Sequence, residues 1–268
     1  VARPTLVTGG TGALGRAVVH RLQARGHAVR LFSRSDPPAE ERTSKPATEW
    51  VVGDLATSPS IHLAVQGVDT IVHCATSPGG GDVAITRRLA DAASRAENPP
   101  HLIYISIVGI ETVPLSYYRT KLACEGVVAG SGLPWTIQRA TQFHDLVARM
   151  TDVQHRWPLV VAPAGIDCQP IDVRDVARRL VEWVEKGPAG RTPEIGGPEV
   201  RSLVELARST LDSEGRDTRV VGMPMPGAIA SALRRGEHLT PDHAEGEIGF
   251  DQFLAERAVH HEHSYSTG

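Results

Sequence analysis

Tyr117 and Lys121 sit four residues apart in the run S-Y-Y-R-T-K-L-A, inside a stretch that reads as a helix from Tyr117 through Val128. That spacing puts both side chains on one helical face, a turn apart. A phenol has an ordinary pKa near ~10 and is a poor acid–base group at neutral pH, whereas an ammonium beside it favours the phenolate. Lys121 is therefore expected to tune Tyr117. Before them, Ser106 closes the run H-L-I-Y-I-S, read as a strand over 101–106. A hydroxyl at the carboxyl end of a parallel strand is placed to hold a substrate carbonyl oxygen while Tyr117 protonates it. Tyr117, Lys121 and Ser106 form the candidate catalytic set.

A second constellation binds rather than reacts. The stretch T-G-G-T-G-A-L-G, Thr8 to Gly15, follows the short strand-like run Thr5, Leu6, Val7 and opens a helix with Leu14, Val18 and Leu22 at four-residue spacing. Side chains at Gly9, Gly10 and Gly12 would block both the strand-to-helix turn and the approach of a pyrophosphate to the backbone, and Gly15 lets the helix pack on the strand. The helix N-terminus offers unpaired N–H groups and the positive end of its dipole to an anion. The pattern predicts a dinucleotide site built from Gly9, Gly10, Thr11, Gly12, Ala13, Leu14 and Gly15. Once a nicotinamide dinucleotide is in view, Lys121 gains a further expected role, a bond to the nicotinamide ribose.

The elements that must position these groups alternate strand and helix. Strand Thr5 to Thr8, helix Gly12 to Arg25 and strand Ala28 to Ser33 make a βαβ unit. The residue ending the second strand of such a unit meets the adenosine ribose, where an acid would suit NAD. Here the strand ends in Ser33 and Arg34, a hydroxyl and a guanidinium that suit the 2′-phosphate of NADP, with Arg16 as a second positive charge. The reading favours NADP over NAD, and Asp36 keeps NAD open. Ser35 to Thr48 reads as a surface loop, then Trp50 to Val52 as a third strand ending at Gly53, Asp54 and Leu55. Asp54 is read as bonding the adenine amino group or capping the next segment, and Leu55 is placed at the same strand end.

A short helix, Ser60 to Gln66, precedes a buried fourth strand, Asp69 to Ala75, in which His73 reads as a satisfied core histidine. After a loop with Gly79, Gly80 and Gly81, Asp82 to Glu97 is an amphipathic crossover helix stopped by Pro99 and Pro100. In the C-terminal part, Asp172 to Lys186 and Arg201 to Glu214 read as helices, Thr218 to Gly222 as a strand and Phe250 to Arg257 as a docking helix. His144, Asp145, Arg149, Met150, His155 and Trp157 are read as part of a substrate pocket or, each taken singly, as structural residues, with Met223 and Met225 as an adaptable apolar wall or loop residues capping the core. His260, His261 and His263 read as a frayed tail.

Composition bounds the function class. With 41% hydrophobic and 22% charged residues the chain is an ordinary globular one, and a net charge of -3 gives no electrostatic reason to expect nucleic acid or an anionic membrane. No basic-then-apolar leader or spanning run is read, so the cytoplasm is the expected location. Cys74, Cys124 and Cys168 are far apart and form neither a disulfide framework nor a metal pattern.

T-G-G-T-G-A-L-G-R, S-Y-Y-R-T-K-L-A-C-E (116–125), P-W-T-I-Q-R-A-T-Q-F (134–143), P-I-D-V-R-D-V-A (170–177) and E-I-G-G-P-E (194–199) together resemble the short-chain dehydrogenase/reductase superfamily. Within it they resemble the atypical, NmrA-like NAD(P)-binding branch. The resemblance implies Tyr117 as general acid, Lys121 as its partner and Ser106 as third member. It also implies Gly9, Gly12, Gly15, Arg16, Arg34 and Asp54 as cofactor ligands, with Ala75 near the adenosine. The asparagine that the family carries in the helix before the serine strand has no counterpart between Asp82 and Glu97, and Asn98 falls at the helix end.

The expectation is thus an α/β protein with a Rossmann-type doubly wound parallel sheet over residues 1–140. A small substrate lobe occupies 141–268, with segments returning to the Rossmann core. The expected activity is an NADP-dependent oxidoreductase acting on a carbonyl, imine or quinone of a small molecule. The alternatives are an NADP-sensing regulator of a protein partner and, with less support, a sugar-nucleotide epimerase or dehydratase.

Overall fold

The computed structural model describes residues 3–37, 48–76 and 80–265, with side chains through 259. The loop expected over 35–48 and the glycine at 79 therefore fall largely outside the described residues, as do the side chains of His260, His261 and His263. The chain divides into two compact units: Val1–Ser106, Ser116–Arg139 and Val176–Pro193 form the first, and Ile107–Leu115, Ala140–Asp175 and Glu194–Gly268 the second.

In chain order the elements are β1 (Thr5–Thr8), α1 (Ala13–Ala24), β2 (Val29–Ser33), β3 (Glu49–Val52), α2 (Ile61–Val65), β4 (Thr70–His73), α3 (Asp82–Ser94), β5 (His101–Ile107), α4 (Ser116–Ala129) and β6 (Trp135–Ala140). They continue with α5 (His144–Asp152), β7 (Leu159–Pro163), β8 (Asp167–Cys168), α6 (Val173–Lys186), β9 (Gly190–Arg191), β10 (Arg201–Ser202), α7 (Leu203–Ser213), β11 (Arg219–Met223), α8 (Ala228–Arg234) and α9 (Phe250–Tyr265).

The first unit is organised by a seven-stranded parallel sheet in the order β3-β2-β1-β4-β5-β6-β9. β1 and β4 are buried at every position, as a strand covered on both faces must be, which is why their sequences read as apolar runs rather than alternations. Leu14, Val18 and Leu22 of α1 are buried as their spacing predicts. Leu6, Ile71, Leu102, Tyr104 and Ile137 of the strands pack with Leu89 and Ala93 of α3 and Cys124 and Val128 of α4 in one core. The order is that of a Rossmann-type doubly wound fold, and the sequence of strands reverses between β1 and β4. That switch point leaves a crevice at the carboxyl ends of the strands.

His73 joins three elements in this core. Its Nδ1 lies 2.6 Å from Thr8 Oγ1 and its Nε2 3.2 Å from Thr86 Oγ1. Burial pushes the imidazole down to about 3, so it is the neutral, satisfied core histidine expected.

The second unit uses smaller pieces. β7 pairs parallel with β11, and β8 antiparallel with β10. Val147 and Ala148 of α5 pack with Leu206 of α7 and with Phe250 and Leu254 of α9. α7 starts with a capping box, in which Ser202 and Glu205 bond reciprocally to each other's backbone N–H. α9 extends beyond the expected Arg257, its backbone helical through Tyr265 in place of a frayed tail. The sequence reading did not contain α5, β7, β8, β9, β10 or α8; the three two-residue strands are too short to carry a periodicity. No helix of the described residues is long and apolar enough to cross a membrane.

Candidate active site

The crevice at the switch point is a cavity of about 440 Å³, walled by residues that follow β1, β2, β3 and β4. Gly9, Thr11 and Gly12 come from the turn after β1, Ser33 and Arg34 from the end of β2, Asp54 and Leu55 from the segment after β3, and Ala75 and Thr76 from that after β4. Gly9 has φ +70, and a Cβ there would come within 2.6 Å of the Ala75 backbone nitrogen. A Cβ at Gly15 would fall on the Gly9 carbonyl oxygen. The turn is therefore possible only with glycine at both positions. Gly10 answers to packing, since its Cβ would meet the Leu31 side chain.

α1 begins at the cavity without a side-chain cap and without an acid in its first turn. Its N-terminal dipole is thus left for a ligand anion. Ala13 and Arg16 are exposed at this end, while Gly10, Leu14 and Gly15 are buried and do not line the cavity. Arg34 is exposed beside Ser33, whose Oγ accepts a hydrogen bond from the Ser35 N–H at 3.2 Å. Asp54 Oδ1 accepts from the Ala56 N–H at 2.7 Å, so this carboxylate shapes the turn after β3. Together these residues fit a dinucleotide: a backbone cradle, a helix N-terminus, and a guanidinium beside a hydroxyl at the ribose end.

The candidate catalytic residues lie on neighbouring elements of the same unit. Ser106, on β5, is only 3% exposed, and its Oγ finds no hydrogen-bond partner among the described residues. Such an orphan is costly unless a ligand completes it. Lys121 is also buried; its Nζ donates to the Ile105 carbonyl at 2.8 Å and lies 4.2 Å from the centre of the Tyr104 ring. Burial pulls this ammonium down to about 8. Tyr117, one turn away, is half exposed, with its Oη 3.4 Å from Thr76 Oγ1.

Here the geometry departs from the sequence expectation that Lys121 favours the phenolate. Burial raises the Tyr117 pKa above its ordinary value, the Thr76 hydrogen bond offsets part of the rise, and Asp82 adds to it. The ammonium is committed to the Ile105 carbonyl and the Tyr104 ring. Sequence reasoning also missed Thr76 and Asp82, whose side chains bond each other at 2.8 Å. Thr76 had a usable signal: it follows β4 at the carboxyl end of the sheet, as Ser106 does on β5. Asp82 had a weaker one, an acid in the first turn of a helix.

Residues 9–186 match the NAD(P)H-binding family. The chain belongs to that family. It is similar to the rice chloroplastic divinyl chlorophyllide a 8-vinyl-reductase, 28% identical over 250 residues that cover 82% of this chain and 61% of the relative. The chain thus spans about three fifths of the length of the first curated relatives it matches. Among solved structures, the NADPH-dependent quinone oxidoreductase of Escherichia coli, complexed with NADPH, superposes with a TM-score of 0.72 at 19% identity, covering 96% of this chain and 99% of the other. NmrA, a negative transcriptional regulator, superposes with a TM-score of 0.75 at 20% identity over 99% and 98%. Proteins named as epimerases share the fold as well. At these identities the likeness carries the fold, which hosts several chemistries, so function must be argued from the site.

Proposed function

We propose that this NAD(P)H-binding protein is an oxidoreductase of the short-chain dehydrogenase/reductase type that uses NADP and acts on a carbonyl, imine or quinone group of a small molecule. The observation that carries the reading is Thr76. It lines the dinucleotide cavity, and its hydroxyl is 3.4 Å from the Tyr117 phenol. A proton donor therefore stands beside a wall residue of the cofactor cleft, and Ser106, with its uncompleted hydroxyl, lies on β5 of the same unit.

In this reading the α1 N-terminus and the glycine turn hold the pyrophosphate, Arg34 and Ser33 hold the 2′-phosphate with Arg16 adding charge, and Asp54 and Leu55 flank the adenine. The bound cofactor supplies or accepts a hydride. Tyr117 provides the proton at the substrate oxygen or nitrogen that gains charge as the hydride arrives, and Ser106 Oγ donates a hydrogen bond to that same atom. The Lys121 ammonium is held by the Ile105 carbonyl and the Tyr104 ring, and its remaining N–H groups are the donors this reading gives to the nicotinamide ribose. The name of one structural neighbour, an NADPH-dependent quinone oxidoreductase, agrees with a quinone acceptor.

The test is a fluorescence titration with NADPH and NADH, followed by a panel of quinones, ketones and imines. Tighter binding of NADPH with turnover of a panel member is the expected result. Tight binding with no turnover across the panel would transfer the reading to a cofactor-sensing regulator, and absence of binding would remove it.

A further inference from the structure

Thr76 does more than line the cavity. Its hydroxyl donates to Asp82 Oδ2 at 2.8 Å and stands 3.4 Å from Tyr117 Oη. A hydroxyl has one hydrogen. The short bond goes to an acidic side chain buried in the first turn of α3, and the long one to a neutral phenol. Charge-assisted bonds are shorter and about twice as strong as neutral ones, so the Thr76 hydrogen stays on the Asp82 side. What Thr76 then offers Tyr117 is a lone pair. The phenol can donate to it, but a phenolate would find no donor there.

We infer that Asp82, acting through Thr76, is a positioning residue that holds Tyr117 as a neutral, proton-bearing phenol beside the cavity residue Thr76. This deepens the reading of the site as a reductase and rests on it: a resting acid that keeps its proton serves reduction, whereas oxidation would need the phenolate. The net rise in the Tyr117 pKa is led by burial, with Asp82 adding to it and the Thr76 hydrogen bond working against it. A Thr76 hydroxyl turned toward Tyr117 would act oppositely and favour the phenolate, and the bond to Asp82 withholds that turn.

The other titratable groups around this chain are Lys121 and Cys124 on α4, Tyr104 on β5 and Cys74 after β4, with Glu125 beyond Lys121. Lys121 opposes Asp82 while charged, which it is below about 8. Cys74 is pushed up to about 12 by burial and stays neutral across the working range.

The experiment reads the phenol itself, so it does not need a substrate. The ultraviolet titration of the Tyr117→Phe variant is subtracted from that of the protein, which isolates Tyr117 from the other tyrosines. Asp82→Asn, close to isosteric, is expected to lower the Tyr117 midpoint by about one pH unit. The same substitution in a Thr76→Val background is expected to shift it by less than half as much, because the connection is gone, whereas Thr76→Ser retains the full shift. Thr76 is exposed, so its variants test the idea even where Asp82→Asn lowers stability. An equal Asp82→Asn shift with and without Thr76 would reduce Asp82 to a distant charge and overturn the inference, as would no shift at all. Failure of every panel substrate, by contrast, would count against the reductase and leave this titration readable.

Discussion

The two units of the chain solve different problems with different materials. In the first, the site is made by backbone: a turn that only glycine can form, a helix end without a cap, and strand termini that converge because the sheet reverses its order between β1 and β4. Its large side chains are mostly buried. In the second, the strands join only in pairs and most of the large apolar side chains that the described residues leave exposed are found here, among them Leu146, Met150, Val153, Trp157, Met223 and Met225. Leu146, Met150 and Val153 recur at helical spacing along α5 and its end, a stripe without burial. The contrast teaches that a cofactor common to many enzymes can be held by geometry, which local sequence encodes, while a particular substrate must be met by exposed side chains.

Substitutions can sharpen or break that division. Tyr117→Phe is expected to lower turnover by about two to four orders of magnitude while leaving NADPH affinity unchanged. Steady-state kinetics beside a binding titration reads both, and equal turnover would take the phenol out of the chemistry. Gly9→Val forces a branched side chain onto φ +70 and against the Ala75 backbone. It should cost a few kcal/mol of stability and abolish detectable dinucleotide binding; retention of both would show that the turn is not the cradle.

Arg34→Ala should weaken NADPH by roughly tenfold or more and NADH little, from the loss of charge-assisted bonds to a phosphate. Equal loss with both cofactors would place the guanidinium elsewhere.

Acid should affect both units in the same direction. His73 and His144 are buried with pKa values held below the ordinary histidine value by burial, and Asp172 is held below its own, chiefly through Arg174. A lowered pKa in the folded state means stability that is present above the unfolded value and lost as pH falls. For the histidines the loss begins near pH ~6.5 and, for His73, continues to about 3. Thermal denaturation followed from neutral pH downward should show it. His73→Asn should flatten the slope, and an unchanged slope would mean that another group carries it. The smallest effect is expected at Trp157, which is 60% exposed. Trp157→Ala should change stability by less than about 0.5 kcal/mol and leave NADPH binding alone. Any effect should appear in the KM of the substrate, and a loss of NADPH affinity would contradict the division between the units.

Local sequence determined the glycine turn, the βαβ start, five of the six longer strands of the first sheet and the face shared by Tyr117 and Lys121. Each depends on contacts within a few residues or on a periodicity that survives in the chain. The second unit was less legible because its two-residue strands and the helix over Ala228–Arg234 owe their form to partners far along the chain. Only the tertiary structure could decide what surrounds each functional atom. The Lys121 ammonium meets the Ile105 carbonyl and the Tyr104 ring, the Ser106 hydroxyl is left without a partner, and Thr76 is set between Asp82 and Tyr117. Protonation and hydrogen bonding depend on distances across β4, β5, α3 and α4, and no spacing in the sequence records a distance between elements.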